Sequence, residues 1–158
     1  MSNPLTITAE PDLPFIDGTR EFDAPLGAVW RAYTEPELLA QWMGPRDLTI
    51  QDLQFDARTG GSWSYTHRAG DGTEYRFRGV LHSVVDHQSI TQTFEFAGVP
   101  GHVSLETATF EELGDRTRLR VHSVFQSVED RDGMVASGME GGMSQSYERL
   151  DDLLAAQG

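Results

Sequence analysis

The sequence predicts an α+β fold in which a strongly curved, seven-stranded antiparallel sheet wraps around one long C-terminal helix. Three observations lead to this prediction. Six strand-like segments follow one another with only short turns between them, and short connections favour antiparallel pairing because parallel strands need long crossovers. One further strand and two short helices precede them. The segment from Glu129 to Ala156 has the apolar spacing of a helix, so it is the natural cover for the concave face of the sheet.

The elements are expected in the following order. A first strand covers Ile16 to Asp23, and Pro25 then begins a short helix, because the fixed φ of proline suits the first helical turn. A second short helix ends at Gly44-Pro45. The six later strands are expected at Leu48 to Phe55, Gly61 to Arg68, Thr73 to Val85, Ser89 to Ala97, His102 to Leu113 and Arg116 to Phe125.

The last helix is expected to be continuous, and the Ser127-Val-Glu-Asp130 pattern in front of it is typical of a helix cap. Its apolar positions recur at spacings of three and four, at Val135, Met139, Met143, Tyr147, Leu150 and Leu154. Its first half also holds four glycines, Gly133, Gly138, Gly141 and Gly142. Each glycine inside a helix costs roughly 1 kcal/mol relative to alanine. Two explanations stay open: close packing onto the sheet, or space for a ligand lined by adaptable methionines.

Composition limits the class of protein. The chain has 158 residues and a formal net charge of −13, which is the wrong sign for binding nucleic acid or an anionic membrane. It has no cysteine, so disulfides and thiol nucleophiles are excluded. Neither a leader-like start nor a continuous apolar segment of membrane-spanning length is present. We expect one cytoplasmic domain over residues 1–158, with its core from about 15 to 156.

Several segments together resemble a known family. They are Asp23-Ala-Pro25 with Val29-Trp30, the run from Thr34 to Pro45, Phe55 to Trp63, Asp71 to Gly79, Gly114 to Leu119, and Gly142 to Leu154. In this order they resemble the SRPBCC (START-like) superfamily, and within it the bacterial domains similar to the C-terminal domain of the activator of heat-shock-protein-90 ATPase. The resemblance covers nearly the whole chain, from about Phe15 to Ala156.

The resemblance implies a helix-grip fold that encloses a deep apolar cavity. It also implies a wide range of functions, from lipid carriers and hormone receptors to polyketide aromatase/cyclases and chaperone activators, so the fold by itself does not name one. Members of the family often have Gly-Trp in the last helix, where this chain has Gly142-Met143. The end of the cavity near Met143 is therefore expected to be roomier or softer.

Strand alternation predicts which side chains line this cavity. Alternate residues of a strand point to the same face, which places Tyr65 and His67 together on the concave side. An ordinary aromatic core is the alternative interpretation of the same pattern. The predicted ligand-binding residues are Trp42, Trp63, Tyr65, His67, Phe77, Phe94, Phe96, Glu106, Met134, Met139 and Met143.

His67 and Glu106 are the candidate catalytic residues. A carboxyl group in an apolar pocket acquires a raised pKa that suits acid–base chemistry. However, Val103, Leu105 and Thr107 form an equally apolar alternative face, so an outward or structurally bonded Glu106 is the preferred interpretation. No pair of histidines has helical ligand spacing and no phosphate-binding glycine motif is present, so neither a metal nor a cofactor is expected.

Three functional hypotheses follow. The leading one is a small-molecule-binding domain whose apolar cavity takes a hydrophobic ligand, either lipid-like or aromatic. The second is an enzyme, such as a cyclase, dehydratase or hydrolase, that acts on a polyketide-like substrate through Glu106 or His67. The third is an interaction module similar to a chaperone ATPase activator, with a protein partner. Either a monomer or a homodimer is compatible with each of them.

Overall fold

The computed structural model of the chain describes residues 3–157, so Met1, Ser2 and Gly158, which the single-domain prediction includes, lie outside the described residues. The described part has an α+β fold with eight strands and four helices. In chain order they are β1 (Thr6–Thr8), β2 (Phe15–Phe22), α1 (Leu26–Thr34), α2 (Pro36–Trp42), β3 (Leu48–Phe55), β4 (Ser62–Ala69), β5 (Glu74–Val85), β6 (Ser89–Phe96), β7 (Val103–Leu113), β8 (Arg116–Val124), α3 (Val128–Ala136) and α4 (Met139–Gln157).

All eight strands belong to one antiparallel sheet, in the order β1-β2-β8-β7-β6-β5-β4-β3. The sheet thus has one strand more than the predicted seven, and the additional strand is β1. This strand has three residues, too few to establish an alternating pattern, and it forms only by pairing Thr6–Thr8 with Asp17–Thr19 of β2. The seven predicted strands all form, and β3 and β4 close one end of the sheet.

The predicted continuous C-terminal helix is interrupted. α3 ends at Ala136, and Gly138 follows with a φ of +84°, a left-handed conformation that glycine adopts without the steric cost of a Cβ atom. The chain then begins α4 at Met139. This break explains why Val135 is 45% exposed, whereas Tyr147, Leu150 and Leu154 of α4 are buried as their spacing predicts.

α4 is anchored to the sheet by a buried ion pair as well as by its apolar face. The guanidinium of Arg20 on β2 is only 2% exposed and donates two hydrogen bonds of 2.7 Å to the carboxylate of Asp151. The same guanidinium lies 4.8 Å from the centre of the Phe22 ring and 5.9 Å from that of Tyr147. A bidentate pair fixes orientation as well as distance, so it sets the position of α4 over the concave face.

The predicted cap of α3 is confirmed, since Ser127 Oγ accepts a hydrogen bond of 3.0 Å from the Asp130 N–H. Ser127→Ala is expected to weaken α3 by about 1 kcal/mol, because one N–H of the first turn loses its acceptor. Hydrogen exchange should show faster exchange of the amides of α3 and unchanged exchange in α4, which has its own anchor. Equal acceleration in both helices would contradict the independent behaviour expected of α3.

Candidate functional site

Strand β4 presents the aromatic face that alternation predicts. Trp63, Tyr65 and His67 are all buried, and the rings of Tyr65 and His67 lie 4.7 Å apart. Trp63 nevertheless sits beside the predicted cavity rather than in its wall, because its indole packs across Gly79 of β5, where no side chain keeps it away. Among the described residues, the Trp63 indole N–H has no hydrogen-bond partner.

The turn between α2 and β3 lies over this face and is held by α4. Gly44 has a φ of +100°, and a Cβ atom there would lie 2.5 Å from His67 Nε2, so the imidazole packs directly on the bare backbone. The Gly44 N–H donates to Ser146 Oγ at 2.9 Å, and Arg149 donates to the Gly44 carbonyl at 2.9 Å. Glycine is required here both by the conformation and by the approach of the histidine.

Between this turn, α4 and the sheet lies a cavity of about 300 Å³, which we call the inner cavity. Its walls come from α1, α2, α4 and strands β3, β4, β6, β7 and β8. Six of the predicted ligand-binding residues contribute to its lining: Trp42, Tyr65, His67, Glu106, Met139 and Met143. A volume of this size lies at the lower end of the range for small-molecule sites.

Two further cavities adjoin the inner one. The connecting cavity, of about 170 Å³, shares Glu106, Met139 and Met143 with it and also reaches Phe94 and Met134. The outer cavity, of about 830 Å³, lies between α3 and the ends of β5, β6 and β7. Its lining includes the remaining predicted residues, Phe77, Phe94, Phe96 and Met134. The predicted single pocket is thus divided into three compartments, and Met134, Met139 and Met143 lie where they meet.

Glu106 points inward, contrary to the preferred interpretation of its strand. Glu106 lies on β7, opposite Gln92 of β6 on one side and Ser123 of β8 on the other. Its neighbour Leu105 points to the outer face and is 43% exposed. Both faces of β7 carry apolar residues, so the sequence pattern does not reveal which one is buried. The surface of Glu106 that remains accessible lines the inner and connecting cavities.

The carboxyl of Glu106 is poorly compensated. The Gln92 side-chain amide donates to its Oε1 at 3.5 Å, which is a long and weak hydrogen bond. Burial raises the pKa of Glu106 to about 7, and the contact with Gln92 opposes the shift only in part. The group therefore exchanges its proton near neutral pH, which is the range in which a general acid or base is useful.

The other titratable groups of the inner cavity are held neutral. Burial lowers the pKa of His67, against an opposing effect of the Met43 backbone, and within residues 3–157 its Nε2 has no hydrogen-bond partner. Burial raises the pKa of Tyr147 to about 12 and those of Tyr33 and Tyr65 well above their usual value. At neutral pH the cavity thus offers neutral hydroxyls, a neutral imidazole and one ionisable carboxyl.

The surroundings of the glycines near the α3–α4 junction favour the second explanation for them, open space, over close packing onto the sheet. A Cβ atom added at Gly133, Gly138, Gly141 or Gly142 would meet nothing within 4 Å outside its own helix, so these residues are not demanded by contact with the sheet. Gly138 is explained by the helix break, whereas Gly133 lines the outer cavity and Gly142 the inner one.

Sequence reasoning left four polar residues of the inner cavity out of the predicted site: Tyr33, Gln92, Ser146 and Tyr147. Tyr33 and Tyr147 lie on the apolar faces of their helices, where their pattern is that of core residues. The one available signal is that they are tyrosines, because the hydroxyl of a buried tyrosine usually needs a polar partner.

Two general properties complete the description of the site. Among residues 3–157, no three histidine, aspartate or glutamate side chains gather in a group that could hold a metal ion. Within the same part of the chain, every helix is too short or too polar to cross a membrane. That neither a metal nor a cofactor is bound stays a prediction.

Solved structures from several bacteria have the same fold. A solution structure of a protein from Arthrobacter aurescens has a TM-score of 0.87 and 26% identity, and the match covers 96% of this chain and 91% of that one. Protein Ms6760 from Mycobacterium smegmatis has a TM-score of 0.86 and 26% identity, covering 96% and 97% of the two chains. A protein from Rhodobacter sphaeroides has a TM-score of 0.89 at 23% identity, covering 97% and 99%, which shows the likeness of fold alone.

Comparison with curated proteins gives no match. A comparison with protein families gives one that spans most of the chain, over residues 23–155, and the family is described as Activator of Hsp90 ATPase homolog 1-like protein. This range runs from the end of β2 to the last turn of α4, so it includes every residue that lines the inner cavity. The chain therefore belongs to the Activator of Hsp90 ATPase homolog 1-like family, within the SRPBCC superfamily that its motifs resemble.

Proposed function

We propose that the protein binds a small hydrophobic molecule in the inner and connecting cavities, between α4 and the concave face of the sheet. The observation that carries this proposal is the presence of open, mostly apolar space beside a buried carboxyl and an imidazole whose Nε2 has no hydrogen-bond partner among residues 3–157. A packed core normally fills such space and satisfies such groups. Membership of a family whose domains generally bind hydrophobic ligands also supports it.

Every predicted site residue except Trp63 has a place in this proposal. The methionines at the junction of the cavities adapt to the outline of the ligand, since their thioether chains are flexible and polarisable. Tyr65 and Trp42 supply flat apolar walls, and His67 and Glu106 orient a polar group of the ligand. Phe77, Phe94 and Phe96 line the outer cavity, through which we expect the ligand to enter.

Gly142→Leu tests the proposal, because Gly142 lines the inner cavity and a Cβ atom at this position meets nothing within 4 Å outside its own helix, so the larger side chain is expected to occupy the cavity. The substitution is expected to reduce the binding of the neutral dye Nile red at least about tenfold and to leave the fold intact, since leucine favours a helix more than glycine does. Fluorescence of the dye measures its transfer to an apolar site, and circular dichroism checks the fold.

Gly141→Leu is the matched control. Gly141 precedes Gly142 in the same helix and is exposed, and it does not contribute to the lining of the inner cavity. The control is expected to keep the affinity of the wild type for Nile red. Equal binding by both variants and the wild type would mean that the dye binds elsewhere. If neither Nile red nor decanol binds the wild type or raises its melting temperature, the proposal is wrong.

An enzyme is the second candidate, because Glu106 exchanges its proton near neutral pH beside a mostly apolar cavity. Glu106 would act as the acid or base and the neutral hydroxyls of Tyr65 and Tyr147 would polarise a substrate carbonyl. Loss of turnover in Glu106→Gln with retained folding would favour this candidate. The activation of a chaperone ATPase and the number of subunits stay predictions.

A further inference from the structure

We infer that the ligand of this protein carries a basic nitrogen on an apolar or aromatic body, and that its ammonium group binds the carboxylate of Glu106. The inference rests on the proposed function and names the class of molecule that the cavities take. Four features of the described residues point to it: the isolated carboxyl, the absence of a cationic wall residue, the acidic rim of the outer cavity and the aromatic surfaces around the inner one.

The carboxyl of Glu106 is the strongest feature. It lies at the junction of the inner and connecting cavities, and the weak hydrogen bond from Gln92 leaves most of its acceptor capacity unused. Within residues 3–157, neither of these cavities has an arginine in its wall, and the chain has no lysine at all. A buried carboxylate normally has a cation or several hydrogen-bond donors as partners. We therefore expect the ligand to supply the cationic donor that the protein does not place beside Glu106.

The charges of the outer cavity have the same sign. Asp47, Glu129 and Asp130 contribute to its lining, and no arginine of the described chain does. Asp130 is partnered by His102, whose Nδ1 lies 2.9 Å from Oδ1, whereas Asp47 and Glu129 have no ion pair among the described residues. An acidic rim on a chain of net charge −13 attracts cations and repels anions such as fatty acids.

The walls of the inner cavity suit an organic cation. Tyr33, Trp42 and Tyr147 contribute to its lining, and the centres of the Tyr33 and Trp42 rings lie 4.8 Å apart. Electron-rich rings attract ammonium groups, and the attraction is larger in a site removed from water. An inorganic cation would find only one carboxylate there, whereas an amine with an apolar body also fills the remaining space.

The groups that face Glu106 leave its titration as the main source of pH dependence. They are Tyr33 on α1, Tyr65 and His67 on β4, and Tyr147 on α4, all of which are neutral around pH 7 because burial disfavours their charged forms. Two fixed positive charges lie next to these groups. Arg20 on β2 lies 5.9 Å from the centre of the Tyr147 ring, and its bidentate bond to Asp151 compensates it. Arg149 on α4 disfavours the charged form of His67 and donates to the carbonyls of Gln41 and Gly44. Binding of an ammonium group should therefore remove a proton from Glu106.

Three matched compounds test the inference by isothermal titration calorimetry: tryptamine, tryptophol and indolepropionate, which attach an ammonium, a hydroxyl and a carboxylate to the same indole. Tryptamine is expected to bind the wild type about tenfold to a hundredfold more tightly than tryptophol at about pH 8, the ratio typical of a charge-assisted hydrogen bond. Indolepropionate is expected to bind least. At about pH 6.5, titrations in buffers of different ionisation enthalpy should show release of a proton with tryptamine and none with tryptophol.

Two variants locate the effect. In Glu106→Gln the affinity ratio of tryptamine to tryptophol should fall to about one, and proton release should vanish. Glu112→Gln removes the same charge from an exposed position of the same strand, so it should keep both properties. A ratio near one in the wild type, or one that Glu106→Gln leaves unchanged, overturns the inference. If tryptophol or Nile red still binds, the proposed function stands; if neither binds, both proposals are wrong.

Discussion

Replacing Glu106 by glutamine is expected to raise the free energy of unfolding by about 3 kcal/mol at about pH 8 and to leave it nearly unchanged at about pH 4. The pKa of this carboxyl is 4.5 when exposed and about 7 in the folded protein. The folded state therefore holds the proton more tightly than the unfolded chain. As the pH rises from about 4.5 to 7, the wild type loses stability, and above that range the loss is complete.

Urea unfolding of the wild type and of Glu106→Gln across this pH range measures the effect. The difference between the two proteins isolates one carboxyl, because groups with the opposite behaviour are common to both. One of these is Glu95, whose pKa is lowered by the Gly101 N–H and by Arg78. Ionisation of Glu95 therefore stabilises the folded protein as the pH rises. Glu112→Gln should change stability by less than about 0.5 kcal/mol at every pH.

Parallel pH profiles of the wild type and Glu106→Gln would show that Glu106 titrates normally and that its surroundings are wet. The expected gain has a functional meaning as well. Glu106 destabilises the ligand-free protein, and glutamine could replace it at no cost to packing. Residues of this kind are typical of binding or catalytic sites. Tryptamine should reduce the difference between the two proteins, because it stabilises the ionised carboxylate.

Gly79→Ala is expected to lower the free energy of unfolding by about 3 kcal/mol, and the melting temperature by roughly 10 °C. Gly79 pairs with Trp63 of β4 across the sheet. A Cβ atom at this position would collide with the carbonyl oxygen of Thr93 and with the Trp63 indole. The first obstacle is backbone of the neighbouring strand β6, so a change of side-chain rotamer cannot remove it.

Gly70→Ala is the control for this substitution, since a Cβ atom in that turn meets nothing within 4 Å. Thermal unfolding followed by circular dichroism compares the two variants. Tryptophan fluorescence of variants in which Trp30 and Trp42 are replaced by phenylalanine reports on the local effect, because the remaining Trp63 indole is stacked on Tyr65 with the ring centres 5.4 Å apart. Equal melting temperatures for Gly79→Ala and the wild type would mean that the strands separate easily at this point.

Much of the fold could be predicted from local patterns. Turn glycines separate most of the later strands, although the turn between β5 and β6 has none and uses His87 at a φ of +59° instead. The alternation in Ser62–Ala69 is enough to identify Trp63, Tyr65 and His67 as inward residues. The errors have physical causes. β1 is too short to have a pattern. The break at Gly138 depends on its left-handed backbone conformation, and the sequence does not reveal it because glycine can also lie inside a continuous helix.

The candidate site was less predictable, because it depends on which elements meet. Trp42, Tyr65, His67 and Met143 line the inner cavity as expected, but Trp63 is withdrawn into the sheet by its contact with Gly79. Tyr33 and Tyr147 join the site from helices more than a hundred residues apart in the chain. Local spacing carries no information on such a meeting.

Local sequence patterns were sufficient for the α+β class, the antiparallel order of the strands, the family and the acidic, cysteine-free character of the chain. Periodicity, turn chemistry and charge are local quantities, so they can be assigned residue by residue. Three features came from tertiary packing alone: Glu106 points inward, the space beneath α4 is divided into three cavities, and no arginine in the described chain lines them. The two faces of β7 are equally apolar, so the packing of the helices against the sheet chooses between them: Trp30 and Tyr33 of α1 contact Phe110, on the face of β7 that also carries Glu106.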